Sequence, residues 1–189
     1  ILMDTLRFNH NRFYRPAIMD ELKLTEGKYI VFTLNRKALI ADAENLKKMI
    51  TAMTDKAGEI QIVAPLRNNA RKAVEGIVAD MSNFHIIGSL PYLEFGYLTA
   101  HAMGIVTDSG NVAEEATFNN VPCITLNSYT EHIETVKKGS NVLVGEDADR
   151  LAATIQDMVN DSWKKSSLPD RWDGRTAERI VHILLEKHK

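Results

Sequence analysis

In the stretch TDSGNVAEEATFNN (107–120), Thr107, Asp108, Ser109, Gly110 and Asn111 directly follow the apolar run GIV, and Glu114 and Glu115 come next. Ser109 is placed to cap a helix, and Gly110 with Asn111 would leave backbone N–H groups uncovered at the positive end of the helix dipole. That chemistry is anion binding, with phosphate or pyrophosphate as the fitting group. Glu115, about two turns in, suits the carboxylate that accepts hydrogen bonds from two vicinal hydroxyls, as an acidic residue does for a ribose in dinucleotide folds. The same residues also make a plain cap and tight turn, with both glutamates favouring the helix's positive end. Spacing alone leaves the two readings open.

Three other places follow apolar runs in the same way: Asn35-Arg36-Lys37, Leu66-Arg67-Asn68-Asn69, and Asn127-Ser128-Tyr129-Thr130-Glu131-His132. A helix dipole supplies only about 0.3–1 kcal/mol at an exposed end and up to about 2 when partly buried, so an anion site here needs Arg36 or Arg67 as well. His132 follows a predicted strand end and opens a predicted helix. The six histidines show no pair at metal-ligand spacing, so no metal site is expected. Tyr92 and Phe95 fall at helical spacing and read as core, Lys137 and Lys138 complement a helix C-terminus, and Cys123, within VPCITL, reads as a buried, inert thiol. No nucleophile with its base and no pair of strand-end carboxylates stands out, so the residues alone reach only a nucleotide- or phosphate-binding domain.

Positioning such groups requires strands that end at a common edge. Short β-rich runs recur at 29–34, 60–65, 84–88, 104–107, 122–126 and 141–145. Between them lie predicted helices at 42–58, 68–83, 91–102, the 107–120 stretch and 130–139, with closing helices at 147–160 and 174–187. This alternation predicts one α/β domain built on a doubly wound, Rossmann-like parallel sheet, with ligands beyond the carboxyl ends of the strands. The 189 residues suffice for one such domain, and the opening ILMDTL reads as the middle of a longer protein. The net charge of -2 supplies no whole-surface field for nucleic acid or an acidic membrane. The single cysteine and the shortness of every apolar run suit a reducing, cytoplasmic setting.

The ordered run LPYLEFGYLTAHAMGIVTDSGNVAEEATFNNVPCITLNSYTEHIETVKKGSNVLVGED, with TLNRKALIADAENLKK, APLRNN and WDGRTAERIV around it, resembles the C-terminal domain of the non-hydrolysing UDP-N-acetylglucosamine 2-epimerases. That family shows T-x-HRxEN, P-x-H-x-N, TDSGG, a Glu-Glu pair, TERPE and YGDGxAxxRI in the same order. The resemblance implies the second domain of a two-domain, B-type glycosyltransferase-like fold. Residues 1–28 would be the hinge-proximal segment, residues 170–189 would hold the closing helix, and the N-terminal catalytic domain would be absent. It implies a UDP-sugar ligand, no cofactor, and a homodimer for the full-length protein. Carried over, Ser109 and Gly110 match the diphosphate-binding pair, Glu115 the ribose-binding glutamate, and Phe95 an aromatic near the uridine. Arg36, Arg67, Asp108, Asn111, Glu131 and His132 complete the expected UDP-sugar site.

The family's reaction is elimination of UDP across C1 and C2 of the sugar followed by re-addition, with carboxylates from the other domain and the HRxEN histidine from this one. Here that histidine position is Asn35, the glutamate is Ala38 and the asparagine is Leu39; the second glycine of SGG is Asn111, the next glutamine is Ala113, and the TERPE arginine is His132. Asparagine donates a hydrogen bond but does not exchange a proton near neutral pH. The expectation is therefore the UDP-binding half of an epimerase-like enzyme, inactive by itself. The alternatives are a donor-nucleotide domain of a B-type glycosyltransferase and a nucleotide-sugar-binding homologue that has lost the reaction.

Overall fold

The strand Tyr29–Phe32 (β1) has no polar side, which is what a strand covered by helices on both faces requires. In the computed structural model, which describes residues 1–187, Ile30 and Phe32 point into one apolar layer and Tyr29 and Val31 into another. Five further strands lie parallel to it: β2 (Gln61–Pro65), β3 (Phe84–Ile87), β4 (Gly104–Thr107), β5 (Cys123–Thr125) and β6 (Asn141–Leu143). Their order is β3-β2-β1-β4-β5-β6, the doubly wound arrangement that the alternation predicted. Ile30 aligns with Ile62 of β2 and with Gly104 of β4, so β1 sits where the winding reverses.

Helices α1 (Leu2–Asn9), α2 (Ile18–Glu21), α3 (Lys37–Ala41), α4 (Ala43–Ala57), α5 (Asn68–Val78), α6 (Tyr92–Ala100), α7 (Gly110–Phe118), α8 (Ile133–Lys137), α9 (Ala148–Val159) and α10 (Thr176–Lys187) complete the described residues. Leu46, Met49, Ile50 and Met53 of α4 pack with Leu151 and Ile155 of α9 on one sheet face. Met19 of α2, Leu98 of α6, and Ala113 and Ala116 of α7 cover the other. Side-chain caps fix two of these starts: Asp42 accepts from the Asn45 amide at 3.1 Å, and Asp147 accepts from the Asp149 and Arg150 amides at 3.0 Å each. Among the described residues, no helix is long and apolar enough to cross a membrane.

Several elements differ from the sequence expectation. The helix predicted over 68–83 ends at Val78, because the chain must turn back so that the Asn83 carbonyl accepts from Ile62 N at 2.7 Å and its side chain donates to the Gly58 carbonyl at 2.7 Å. Helix α3 arises where only a strand-end loop was expected, and Leu39 anchors it with full burial. Residues 1–28 form α1, a short 3-10 turn and α2. Asp4 of α1 caps α10, accepting from Thr176 N at 3.1 Å and Ala177 N at 2.8 Å. Helix α10 leaves Ile180, Val181, Ile183, Leu184 and Leu185 between 44% and 61% exposed. The closing helix expected at 174–187 is observed at Thr176–Lys187, and residues 188–189 of the expected closing segment 170–189 lie outside the described residues.

Candidate functional site

Beyond the carboxyl ends of β1 and β4 the backbone opens into three clefts that share residues. A cleft of about 420 Å³ runs past Thr33, Asn35, Arg67, Phe95, Ser109 and Val112 towards Ser89 and Tyr92. A second, of about 410 Å³, lies between Asn35, Arg36, Asp108 and Tyr129. A third, of about 310 Å³, is bounded by Gly110, Asn111, Asn127, Thr130, Glu131 and His132. Ser109 lines all three. Every residue expected at the site from the sequence lines one of these clefts, apart from Glu115.

The start of α7 is built as an anion seat. Thr107, fully buried, binds the Thr33 hydroxyl at 2.7 Å across the β1–β4 junction and accepts from Ser109 N at 3.0 Å, which fixes the turn. Ser109 then adopts an extended backbone as N-cap, and its hydroxyl accepts a long 3.5 Å bond from Val112 N. Among the described residues, the amides of Gly110 and Asn111 make no hydrogen bond, and both residues line the third cleft. They are two of the uncompensated donors that every helix start carries. Gly110 lets the His132 ring lie against the helix start: a Cβ there would lie 2.9 Å from Cδ2 and 3.2 Å from Nε2 of His132, and the ring would have to shift.

Asp108 lines the second cleft and also ties two loops together. Its Oδ2 accepts from Asn35 N at 2.7 Å and from Arg36 N at 2.5 Å, and its carbonyl accepts from Asn127 Nδ2 at 3.2 Å. The carboxylate therefore ties the loop after β1 to the loop after β4, while its buried Oδ1 finds no partner among the described residues. Arg36 likewise faces its own protein, donating to Asn127 Oδ1 at 3.0 Å and pairing with Glu146 Oε1 at 3.0 Å. Both groups are about a third exposed, so the guanidinium remains within reach of an anion but is held on the β5–β6 side. Arg67 donates to the Ser89 hydroxyl at the far end of the first cleft. The Asn35 side chain is exposed and lines both the first and second clefts, whereas Leu39 is wholly in the core.

Glu115 lies behind the seat at 8% exposure. Burial first, and the charge of Glu114 second, push its carboxyl up to about 7. Burial first, and the Glu115 charge second, raise the Tyr92 hydroxyl. A carboxyl whose charged form is disfavoured by burial gains from hydroxyl donors that stabilise that form. Phe95 is half-buried against the first cleft, and its neighbour Gly96 has no room for a Cβ because the Phe13 ring would lie 2.5 Å away. Phe13, on the loop before α2, meets the Tyr92 ring edge-on at 6.1 Å.

Sequence spacing missed one grouping. Glu114 of α7, His132 before α8 and Glu134 in α8 bring their ligand atoms within 4.8 Å of one another, with His132 Nδ1 3.3 Å from Glu114 Oε1. Burial raises the Glu114 carboxyl, the nearby His132 lowers it and Glu134 raises it again. Three such groups are enough to hold a cation. The signal was invisible because the glutamate and the histidine lie on different elements, 18 positions apart.

Comparison with known proteins converges on one family. Residues 1–185 match the family model described as UDP-N-acetylglucosamine 2-epimerase. A UDP-N-acetylglucosamine 2-epimerase homolog from Methanococcus maripaludis is 34% identical over 159 residues, covering 82% of this chain and 43% of the relative. The UDP-N-acetylglucosamine 2-epimerase of Methanocaldococcus jannaschii is 31% identical over 185 residues, covering 93% of this chain and 48% of the relative. A crystal structure of the M. jannaschii enzyme in complex with UDP-GlcNAc and UDP superposes with a TM-score of 0.81 at 29% identity, over 98% of this chain and 53% of that one. The chain thus spans about half the length of the curated relatives it matches. With the family match running through the whole sheet, the helix start after β4 and the buried glutamate behind it, the chain belongs to the UDP-N-acetylglucosamine 2-epimerase family.

Proposed function

We propose that this chain is the nucleotide-binding half of a UDP-sugar 2-epimerase, holding the diphosphate at the α7 start, the ribose at Glu115 and the uracil along the Phe95 cleft. The observation that carries the reading is the pair of unpartnered amides at Gly110 and Asn111 beside a buried carboxyl held near 7. Such a pair suits a diphosphate next to a diol. Ser109 shapes the seat, Gly110 admits His132 beside it, and Asp108 holds Asn35 and Arg36 at its rim. Asn111, Glu131 and His132 line the third cleft, where they would meet the outer phosphate or the sugar.

The chemistry expected of the family removes UDP from C1 and a proton from C2 to leave a glycal, then returns UDP to C1 with a proton delivered to the other face of C2. That step needs groups that exchange protons at C2, and Asn35, at the rim of the first two clefts, is not one of them. In this reading residues 1–187 bind and orient the nucleotide, and the acid and base come from a further domain. The apolar face of α10 supports such a domain, because five large apolar side chains on one helix are more than a water-facing helix carries. The chain by itself is then inactive, and the full protein acts as a cytoplasmic enzyme of polysaccharide-precursor supply. Calorimetric titration of UDP and UDP-GlcNAc into the chain, with proton exchange at C2 followed by NMR, tests the proposal. Saturable binding without exchange is the expected result; absence of binding overturns it.

A further inference from the structure

We infer that Glu114, His132 and Glu134 form a binding site for one divalent transition-metal ion of the zinc type, which fastens α8 and the loop before it to α7. No nucleotide is required for it. One ligand atom from each side chain lies within 4.8 Å of the other two, and His132 Nδ1 stands 3.3 Å from Glu114 Oε1. Two ligands about 2.0–2.2 Å from a tetrahedral zinc ion are themselves about 3.3–3.6 Å apart. The imidazole and the first carboxylate are thus already at ligand spacing, and Glu134 joins them with a shift of about 1 Å or less. The backbone holds the ring in place: the His132 amide donates to Thr130 Oγ1 at 3.0 Å, and the His132 carbonyl accepts from the Thr135 hydroxyl at 2.7 Å. Those bonds put Glu134 in the first turn of α8, against the helix that carries Glu114.

Two further observations favour a cation over a plain ion pair. The Glu114 side chain is only 14% exposed, and its one ion pair among the described residues is with the imidazole. The Glu134 carboxylate lies beside that pair, yet among the described residues it makes neither a hydrogen bond nor an ion pair of its own. Two carboxylates gathered with poor access to water repel each other, and an imidazole carries at most one compensating charge. A divalent ion neutralises both. The ligand types choose among cations, because magnesium and calcium take sets of oxygen ligands, whereas an imidazole with carboxylates suits zinc and its neighbours in the first transition row. Three protein ligands leave a coordination position for water. The Cδ2–Nε2 edge of the ring lies over Gly110, so an ion on the Nδ1 side stands outside the seat formed by the Gly110 and Asn111 amides. An arginine at position 132, as in the TERPE pattern, would bridge the two carboxylates by hydrogen bonds and ligate nothing.

Zinc chloride is the probe, titrated by calorimetry into the chain in a phosphate-free buffer without nucleotide, with bound metal counted by elemental analysis after gel filtration. One zinc ion per chain is expected at this site. Its affinity is expected to fall by about ten- to a hundredfold or more in Glu134→Gln and in His132→Arg, since the loss of even an outer-shell partner of a metal site costs that much. His132→Arg keeps a cation between the two carboxylates and so keeps the fold, which circular dichroism checks. Magnesium at equal concentration is expected to displace no zinc. A second measurement needs no substitution: zinc shifts the NMR signals of the His132 ring ahead of those of the other histidines, and slows amide hydrogen exchange in α8 and the loop before it. Absence of zinc binding, equal zinc affinity in the chain and in His132→Arg, displacement by magnesium, or ring shifts at another histidine instead of His132 overturns the inference. The nucleotide reading stands under each of those results, because UDP-GlcNAc titration without metal tests it separately.

Discussion

Glu115→Gln separates what the buried carboxyl does for the fold from what it does for the ligand. In the folded chain its carboxyl is held at about 7 against an ordinary 4.5. Between those values the folded state binds the extra proton, so the contribution is fully present below the unfolded value and is lost as pH rises through 7. The displacement corresponds to about 3 kcal/mol of destabilisation above about pH 8, because each tenfold change in proton affinity between the folded and unfolded chain is worth about 1.4 kcal/mol. Glutamine has the shape of the protonated acid and no charge to desolvate. Urea denaturation at about pH 8.5 is therefore expected to show the variant more stable by up to about 3 kcal/mol, with the difference falling below about 1 kcal/mol at about pH 5. Binding moves the other way, since a carboxylate that accepts from two hydroxyls outperforms an amide by about ten- to a hundredfold at the alkaline end. A stability difference that is the same at both pH values would refute the cause assigned to the raised carboxyl, and unchanged UDP-GlcNAc affinity would refute the role in ribose binding.

Gly110→Ala places a methyl group against the His132 ring and is expected to weaken UDP-GlcNAc binding about tenfold or more while leaving thermal unfolding within a few degrees of the parent, read by calorimetry and circular dichroism. Asp108→Ala unties the Asn35 and Arg36 amides and is expected to cost about 1–3 kcal/mol in urea denaturation, with faster hydrogen exchange confined to the loop after β1. Cys123 is fully buried and burial pushes its thiol up to about 12, so a thiol reagent is expected to label it only under denaturing conditions. Labelling of the native chain at the unfolded rate would contradict that placement.

The parallel sheet was legible because its strands are buried on both sides, and a run such as YIVF has few other uses. The α7 start was legible because Ser109, Gly110 and Asn111 are adjacent in sequence, so a local pattern contained the whole device. The role of Asp108 was not. Its neighbours in sequence suggested a ligand contact, and nothing local announced that its Oδ2 also accepts from amides 72 and 73 positions away. The Glu114, His132 and Glu134 grouping was hidden for the same reason, since it forms only when α8 is laid beside α7. Helices α1 and α2 are only 8 and 4 residues long, and their burial depends on α6, α7 and α10 already being in place. Phe95, read as core from its spacing and as a nucleotide neighbour from the resemblance, is half-buried on a cleft wall, a position compatible with both.

The Asp4 carboxylate that caps α10 bridges 172 and 173 positions of chain. A contact of that span closes nearly the entire sequence into a loop, and its entropic cost is recovered only after the sheet between its ends has assembled. Helices α1 and α10 therefore join late in folding and open first, as one unit. In native-state hydrogen exchange the two should share a single opening free energy below that of the central strands. Replacing Asp4 would then loosen the first helix as much as the last, although the residue belongs to only one of them.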